Sequence, residues 1–243
     1  MTDGPSSSPV NCPSSGLIGI LAGMGPRSTA PFVDLVVTEC QKQYGAKHDL
    51  DFPPMMIYSL PAPFYDDRPI DPPALKAAIC EGLKKLESTG VDFIAMPCNS
   101  AHIYYDDLVS CIHAPLLNMI DEALRALPAG VTKMALLATR PTAESGLYQA
   151  GAKRFGVELL TDERWQILVD DLIRVIKSSQ TRDGARMLWR ELLAEVKSEG
   201  VESVLLACTD LNAVSGTAQA SLSILDATEC LARAVVSRWR AGV

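Results

Sequence analysis

The sequence predicts an α/β protein made of two similar halves, each with a largely parallel central sheet. Short apolar runs alternate with amphipathic helical patterns along most of the 243 residues. Strands that are apolar throughout and are each followed by a helix are typical of buried, parallel sheets. A helix–strand segment that ends in cysteine also occurs twice in the chain. The 48 % of hydrophobic and 21 % of charged residues allow a substantial core.

The predicted strands are short apolar runs that turn-forming residues separate. They are Leu17–Leu21, Met55–Leu60, Phe93–Met96, Leu116–Ile120, Met134–Ala138, Val157–Leu160, Val204–Ala207 and Ser223–Leu225. Helical periodicity predicts helices between them, at 27–44, 73–89, 100–112, 121–127, 141–155, 163–179, 183–199 and 227–240. Residues 1–16 are rich in Ser and Pro and have little to bury, so we expect a disordered tail.

The internal repeat relates Ala74–Cys98 to Gly184–Cys208, with a constant offset of 110 positions. Each copy is an amphipathic helix, then Gly-Val and an acidic residue, then an apolar strand and a cysteine. Gly90 and Gly200 follow the two helices, where a positive φ favours glycine. The matched cysteine at both strand ends distinguishes this repeat from a chance recurrence of helix and strand.

A weaker similarity relates two strand–turn segments that precede the repeat copies. A strand runs into AGMGPRST in one half and into ATRPT in the other, with Pro26 and Pro141 at the first helical position. Two α/β domains of about 100 residues each fit these similarities. We expect the first domain to contain 17–115 and 220–243, and the second 116–219.

Charge and composition exclude several classes of function. The 22 Lys and Arg against 29 Asp and Glu give a net charge of −7, the opposite of what phosphate neutralisation by a nucleic-acid binder requires. No apolar run approaches the roughly 20 residues that cross a bilayer, and no leader pattern begins the chain. We therefore expect a cytoplasmic protein with reduced thiols and neither membrane nor nucleic-acid contact.

The cysteine pattern argues against a metal site. None of the seven cysteines has CxxC spacing and only three histidines are present, so neither a zinc site nor a disulfide framework is predicted. We expect Cys12 to be an incidental thiol of the tail. Four other cysteines lie in helical patterns without a counterpart in the other half, and we expect them to pack in the interior: Cys40, Cys80, Cys111 and Cys230.

Cys98 and Cys208 are the candidate catalytic residues. In α/β sheets, ligands bind beyond the carboxyl ends of the strands, and both cysteines occupy that position. A thiol beside a helix N-terminus is expected to have a lowered pKa. Facing thiols on two halves could remove a Cα proton from one side and return one from the other. A lone cysteine that ends a strand is more often a small buried hydrophobe, but the equivalence of these two favours function.

The chain resembles the cofactor-independent aspartate/glutamate racemases. The matching stretches are Ile18–Pro26 (IGILAGMGP), Met96–His102 (MPCNSAH), Leu136–Arg140 (LLATR) and Leu206–Leu211 (LACTDL). The resemblance implies two α/β domains related by a pseudo-twofold axis, an active site in the cleft between them, and two catalytic cysteines. It also implies a homodimer without a cofactor that acts on a small acidic amino acid, here aspartate and also glutamate.

The candidate substrate-binding residues are drawn from positions at the strand ends and from the family resemblance. Four polar residues beside the strand ends could bind the α-carboxylate and α-amino groups: Asn99, Ser100, Thr139 and Thr209. Helix capping is an alternative role for Ser100 and Thr209. The resemblance implies a substrate contact for Met24, recognition of the side-chain carboxylate by Arg68, and a position near that carboxylate for Lys177. The alternatives are a core methionine for Met24 and a surface arginine paired with Asp66 or Asp67 for Arg68. For Lys177 the position at a helix end favours a solvated lysine. Asp210 could hydrogen-bond near Cys208 or cap the next helix.

Departures from the family pattern leave the substrate open. The chain has Ala22 and Ala207 where relatives more often have Gly, and Ser100 where they have Thr. Asp210 stands where Glu is usual and is one methylene shorter, which could change the preferred side chain. His102, four residues after Cys98, could tune that thiol or simply support the helix.

Three alternatives remain. A decarboxylase or cis–trans isomerase acting on a dicarboxylic acid would share the fold. Some relatives in the wider superfamily lack one of the two cysteines and carry out other chemistry, whereas both cysteines are present here. A non-catalytic amino-acid-binding protein would not need both thiols. A disulfide switch between Cys98 and Cys208 would require Cα atoms within about 7 Å, which a substrate-sized cleft does not allow.

Overall fold

Two parallel sheets organise the chain, and the computed structural model describes residues 16–65, 70–178, 183–201, 203–215 and 222–242. The first sheet has the order β2-β1-β3 and the second the order β5-β4-β6-β7. The strands are β1 (Ile18–Ala22), β2 (Met55–Ser59), β3 (Phe93–Ala95), β4 (Lys133–Ala138), β5 (Glu158–Leu160), β6 (Ser203–Ala207) and β7 (Ser223–Asp226). Neighbouring strands of both sheets are parallel. The predicted α/β class is confirmed, while residues 1–15 of the predicted tail lie outside the described residues.

Helices follow most of the strands, as a parallel sheet requires. They are α1 (Thr29–Tyr44), α2 (Pro72–Glu87), α3 (Tyr105–Val109), α4 (Met119–Arg125), α5 (Arg140–Glu144), α6 (Leu147–Lys153), α7 (Glu163–Ser178), α8 (Asp183–Ser198), α9 (Asn212–Ser215) and α10 (Ala227–Arg240). Short 3₁₀-helices occur at Pro26–Ser28, Asp49–Asp51, Ser100–Tyr104 and Thr209–Leu211. None of the helices in the described part of the chain is long and apolar enough to span a membrane.

Three predicted elements differ from the structure, and in two of them a local polar or glycine residue overrides the apolar pattern. The predicted helix 100–112 is a 3₁₀-helix at Ser100–Tyr104 followed by α3. The predicted strand Leu116–Ile120 is reduced to one bridge between Ile94 and Leu116. The side chain of Asn118 accepts hydrogen bonds from two backbone N–H groups and caps α4, which begins at Met119. The predicted helix 141–155 is divided into α5 and α6 at Gly146, whose φ is 70°.

The internal repeat is a structural repeat. In one half α2 leads into β3, which pairs with β1, and in the other α8 leads into β6, which pairs with β4. Gly90 and Gly200 have φ values of 79° and 74°, as their predicted positions after the helices require. The two cysteines that end the repeat copies therefore lie at the carboxyl edges of equivalent strands.

One apolar cluster joins the two halves. It contains residues from one face of β1, such as Ile20, and from one face of β4, such as Leu136, together with residues of α1, α4 and α10. Separate clusters cover the other faces, beneath α2 in the first half and beneath α7 and α8 in the second. The halves therefore share part of their core.

The C-terminal segment connects the halves. β7 hydrogen-bonds to β6 and belongs to the second sheet, although the sequence assigned 220–243 to the first domain. The helix that follows it, α10, packs against α1 of the first half and against α4. The segment thus contributes a strand to the second sheet and a helix that packs against both halves, and the domain boundaries stay a prediction.

A disulfide joins Cys80 on α2 to Cys111, just after α3, with 5.8 Å between their Cα atoms. The prediction that both are reduced packing residues is wrong. Their separation of 31 positions matches no motif, and they meet only because α2 packs against α3. Cys40 and Cys230 are buried and free, as predicted.

Candidate active site

Cys98 and Cys208 lie at the carboxyl edges of the two sheets, as the repeat predicts. Cys98 follows β3 and Cys208 follows β6, and each precedes a 3₁₀-helix. Both thiols are free and buried, with 6 % and 5 % of their surface exposed. A negative charge on Cys98 would raise the pKa of Cys208, so the two sulfurs lie near enough to interact.

Backbone N–H groups point at both sulfurs in the same way. The sulfur of Cys98 accepts hydrogen bonds from the backbone of Ser100 and Ala101. The sulfur of Cys208 accepts them from the residues two and three positions later, the equivalents in the other half. These donors favour the thiolate form of each cysteine. Each strand end is therefore built to hold a negatively charged sulfur.

Burial nevertheless dominates the ionisation of both thiols in the free protein. Loss of solvent raises the pKa of Cys98 to about 12, and the nearby Asp210 carboxylate adds to the increase. The same two causes, burial first, raise the pKa of Cys208 above its ordinary value. The sequence prediction of lowered thiol pKa values is wrong here, because desolvation outweighs the N–H donors at the helix starts.

Asp210 bridges the two halves. Its Oδ1 accepts a hydrogen bond of 3.2 Å from the hydroxyl of Ser28, which ends the turn after β1. Asp210 is itself buried, with 8 % of its surface exposed. Its carboxylate therefore lies between the glycine-containing turn of the first half and both thiols. Ser28 was not singled out from the sequence, since its role depends on contact between the halves.

Three hydroxyls form a matching bridge after the other cysteine. Ser100 lies 2.8 Å from Thr139 and 3.1 Å from Thr142, and the two threonines lie 2.9 Å apart. Ser100 and Asp210 each stand two positions after a cysteine, so the two bridges occupy equivalent places in the repeat. Thr142 was missed, although it ends the ATRPT segment that the weaker similarity had marked.

Asn99 makes a third contact between the halves. Its Oδ1 accepts a hydrogen bond of 2.5 Å from the hydroxyl of Tyr148, on α6 of the second half. Its Nδ2 is buried and has no hydrogen-bond partner among the residues that the structure describes. Tyr148 was not predicted, because an aromatic residue within an amphipathic helix resembles any core residue.

His102 supports the backbone around Cys98. Its Nε2 accepts a hydrogen bond from the backbone N–H of Met119 at 3.1 Å, so its Nδ1 donates to the carbonyl of Cys98 at 2.8 Å. Burial lowers the pKa of this imidazole, which keeps it neutral. Both ring nitrogens contact backbone groups, and this favours the structural interpretation over thiol tuning.

The remaining predicted site residues differ in burial, and one of them lies outside the described residues. Met24 is buried in the apolar cluster that includes Cys98, and Thr209 is buried directly after Cys208. Lys177 is exposed in the last turn of α7, and its positive charge lowers the pKa of Cys98. Arg68 lies in the segment 66–69, outside the described residues. Within the described ranges, no group of three or more His, Cys, Asp or Glu side chains could hold a metal ion.

Comparisons with known proteins identify the family of this chain. The model of the Asp/Glu/Hydantoin racemase family matches residues 21–235. A broad specificity amino-acid racemase of Bacillus subtilis (strain 168) is 46 % identical over 225 residues, covering 93 % of this chain and 99 % of the relative. The aspartate racemase of Picrophilus torridus superposes with a TM-score of 0.81 at 28 % identity, covering 92 % of this chain and 94 % of its own.

A more distant structure shares the fold alone. A glutamate racemase of Bacillus anthracis has a TM-score of 0.65 at 14 % identity, covering 93 % of this chain and 82 % of its own. The family model and the 46 % identical relative carry the functional conclusion, since each spans most of the chain. The chain therefore belongs to the Asp/Glu/Hydantoin racemase family and is an amino-acid racemase.

Proposed function

We propose that this racemase inverts the α-carbon of aspartate, and also of glutamate, by moving a proton between Cys98 and Cys208 without a cofactor. One observation carries the proposal. Two free thiols stand at equivalent strand ends of opposite halves, near enough to influence each other's ionisation. Inversion requires a base on one face of the α-carbon and an acid on the other, and such a pair meets that requirement.

The reaction is balanced within the two thiols and the substrate. The thiolate on one side takes the Cα proton, and the electron pair left on carbon delocalises into the α-carboxylate. The thiol on the other side then gives its proton to the opposite face of the same carbon. The enzyme ends with the ionisation of its two cysteines exchanged, ready for the reverse reaction.

The growing negative charge needs donors beside the α-carboxylate. The buried Nδ2 of Asn99, which has no hydrogen-bond partner within the described part of the chain, is such a donor. The hydroxyls of Ser100, Thr139 and Thr209 lie close to the strand ends. Donors fixed in a water-poor site stabilise a developing charge more than they stabilise the substrate. The α-ammonium group is attracted to the carboxylate of Asp210, and its positive charge would lower the pKa of the neighbouring thiols.

Activity is expected to rise with pH. In the free protein burial raises the pKa of Cys98 to about 12, so only a small fraction of this thiol is ionised near neutrality. That fraction grows about tenfold for each pH unit below the pKa, so kcat/KM at pH 9 should be about a hundredfold that at pH 7. Because kcat reports the complex, in which the ammonium group favours the thiolate, its dependence should be shallower.

Initial rates from pH 6.5 to 9 test this expectation, with circular dichroism at each pH as the control for folding. A kcat/KM that is constant or falls between pH 7 and 9 would show that the reactive thiol is already ionised at neutrality. The pKa of that thiol would then have to be low for a reason other than the bound substrate.

The preference for acidic substrates is the finer part of the proposal. It rests on the resemblance to aspartate/glutamate racemases, on the predicted role of Arg68 at the side-chain carboxylate, and on the positive charge of Lys177 near Cys98. A second candidate is activity on a wider set of amino acids. It is favoured by the 46 % identical relative, which is named as a broad specificity enzyme. The homodimer also stays a prediction, which sedimentation velocity would test.

The first experiment is hydrogen–deuterium exchange at the α-carbon, followed by NMR in D₂O without added cofactor. L- and D-aspartate are compared with glutamate and with neutral and basic amino acids, in protein whose Cys98 and Cys208 are shown to be free thiols. We expect exchange with loss of optical purity, fastest for aspartate. Equal rates across the panel would replace aspartate preference by broad specificity. No exchange with any amino acid would favour the decarboxylase, isomerase or binding-protein alternatives.

A further inference from the structure

We propose that Tyr148 is a positioning residue, which holds the Asn99 side chain so that both of its amide N–H bonds face the substrate's α-carboxylate. This inference rests on the proposed function and assigns a role to a residue that does not touch the substrate. It also makes the second half of the molecule responsible for orienting a donor that belongs to the first half.

The hydrogen bond between the two residues has one possible direction. The Tyr148 hydroxyl lies 2.5 Å from Oδ1 of Asn99, and an amide oxygen can only accept. Tyr148 is completely buried, and burial raises its pKa well above the ordinary value, so the hydroxyl keeps the proton that it donates. Since this contact fixes Oδ1, the opposite corner of the planar amide must carry Nδ2.

The environment of the Asn99 amide nitrogen, Nδ2, is unusual. Nδ2 is buried yet has no acceptor in the described part of the chain. A buried N–H group without an acceptor is costly, and native proteins keep few of them. Asn99 directly follows Cys98, so it stands at the same strand end as the thiol that would act on the α-carbon. The α-carboxylate, bonded to that carbon, is the acceptor that the reaction itself brings to this place.

The orientation matters because a flipped amide would be repulsive. With its oxygen towards the substrate, Asn99 would set one acceptor against the carboxylate and lose both donors. The carboxylate becomes more negative as the Cα proton leaves, so correctly oriented donors act most strongly in the transition state. Tyr148 selects the productive orientation by occupying the oxygen with a proton.

Replacing Tyr148 with phenylalanine tests the inference. We expect Tyr148→Phe to lower kcat/KM about tenfold for both enantiomers, part of it in kcat, because Asn99 loses its fixed orientation. The matched control is Tyr44→Phe. It also removes a hydrogen bond from a tyrosine hydroxyl to a carbonyl oxygen, the backbone carbonyl of Asp51 at 2.7 Å, but Tyr44 lies on α1 outside the site. This control should retain the wild-type rates.

A double-mutant cycle separates positioning from a general structural effect. If Tyr148 acts only through Asn99, then Tyr148→Phe should cause no further loss of activity in an Asn99→Ala background. Unchanged kinetics in the single variant, an additive loss in the double variant, or an equal loss in Tyr44→Phe would each overturn the inference.

Asn99→Asp provides a second test that does not depend on the folding of Tyr148→Phe. Aspartate keeps an oxygen for the Tyr148 hydroxyl but replaces Nδ2 by an acceptor, so the variant should fold and lose racemisation. Wild-type activity in Asn99→Asp would overturn the inference. Failure of the proposed function is distinguishable, since the wild-type protein itself would then show no exchange in the same assay.

Discussion

Replacement of either Cys98 or Cys208 with serine should reduce racemisation by about a thousandfold, the scale of a lost general acid or base. A serine hydroxyl neither ionises nor donates a proton as readily as a thiol, so one face of the α-carbon would lose its partner. Each variant should still exchange the Cα hydrogen of one enantiomer, the one that faces the remaining thiol. The two variants should therefore differ in the enantiomer that they exchange.

Exchange of L- and D-aspartate in D₂O measures both effects, with optical rotation as the readout for racemisation. Cys40→Ser is the matched control, because Cys40 is also a buried free thiol but lies on α1 outside the site. Full racemase activity in either site variant would disprove the two-thiol mechanism. Exchange of the same enantiomer by both variants would disprove the assignment of one thiol to each face.

Loss of the Cys80–Cys111 disulfide should lower the free energy of unfolding by about 3–4 kcal/mol. The bond closes a loop with a sequence separation of 31, and a cross-link of that length restricts the unfolded chain. The loop contains β3 and Cys98, so the effect applies to the part of the first half that carries one of the reactive thiols.

Urea unfolding with and without a thiol reductant gives this difference. The double variant Cys80→Ser/Cys111→Ser should match the reduced wild-type protein and should not respond to the reductant. Equal stability of the oxidised and reduced wild-type proteins would show that the cross-link does not constrain the unfolded chain.

Local sequence patterns predicted most helices and strands, because the formation of these elements depends mainly on residues that are close in sequence. β4 and β6 are apolar after their first residue and were predicted to within one residue, and the repeat located Cys98 and Cys208 at equivalent strand ends. The misplaced strand at 116–120 shows the limit, since a single capping residue, Asn118, outweighed the apolar run.

Features that depend on how distant segments pack were not predictable in this way. The thiol pKa values follow from the depth of burial, which the order of residues does not state. The bridges from Ser28 to Asp210 and from Tyr148 to Asn99 exist only because the two halves face each other. The roles of the substrate-binding residues, Arg68 included, stay predictions that the kinetic experiments address.

The placement of α10 limits how this protein can be recombined with its relatives. A chimera that takes the first half from one parent and the second from another would separate α10 from α1 if the junction followed the strands alone. Because α10 also packs against α4 of the second half, any junction between the halves sets α10 against a helix of the other parent. The two interfaces of α10 must therefore stay complementary together, so the sequences of the two halves cannot be changed independently.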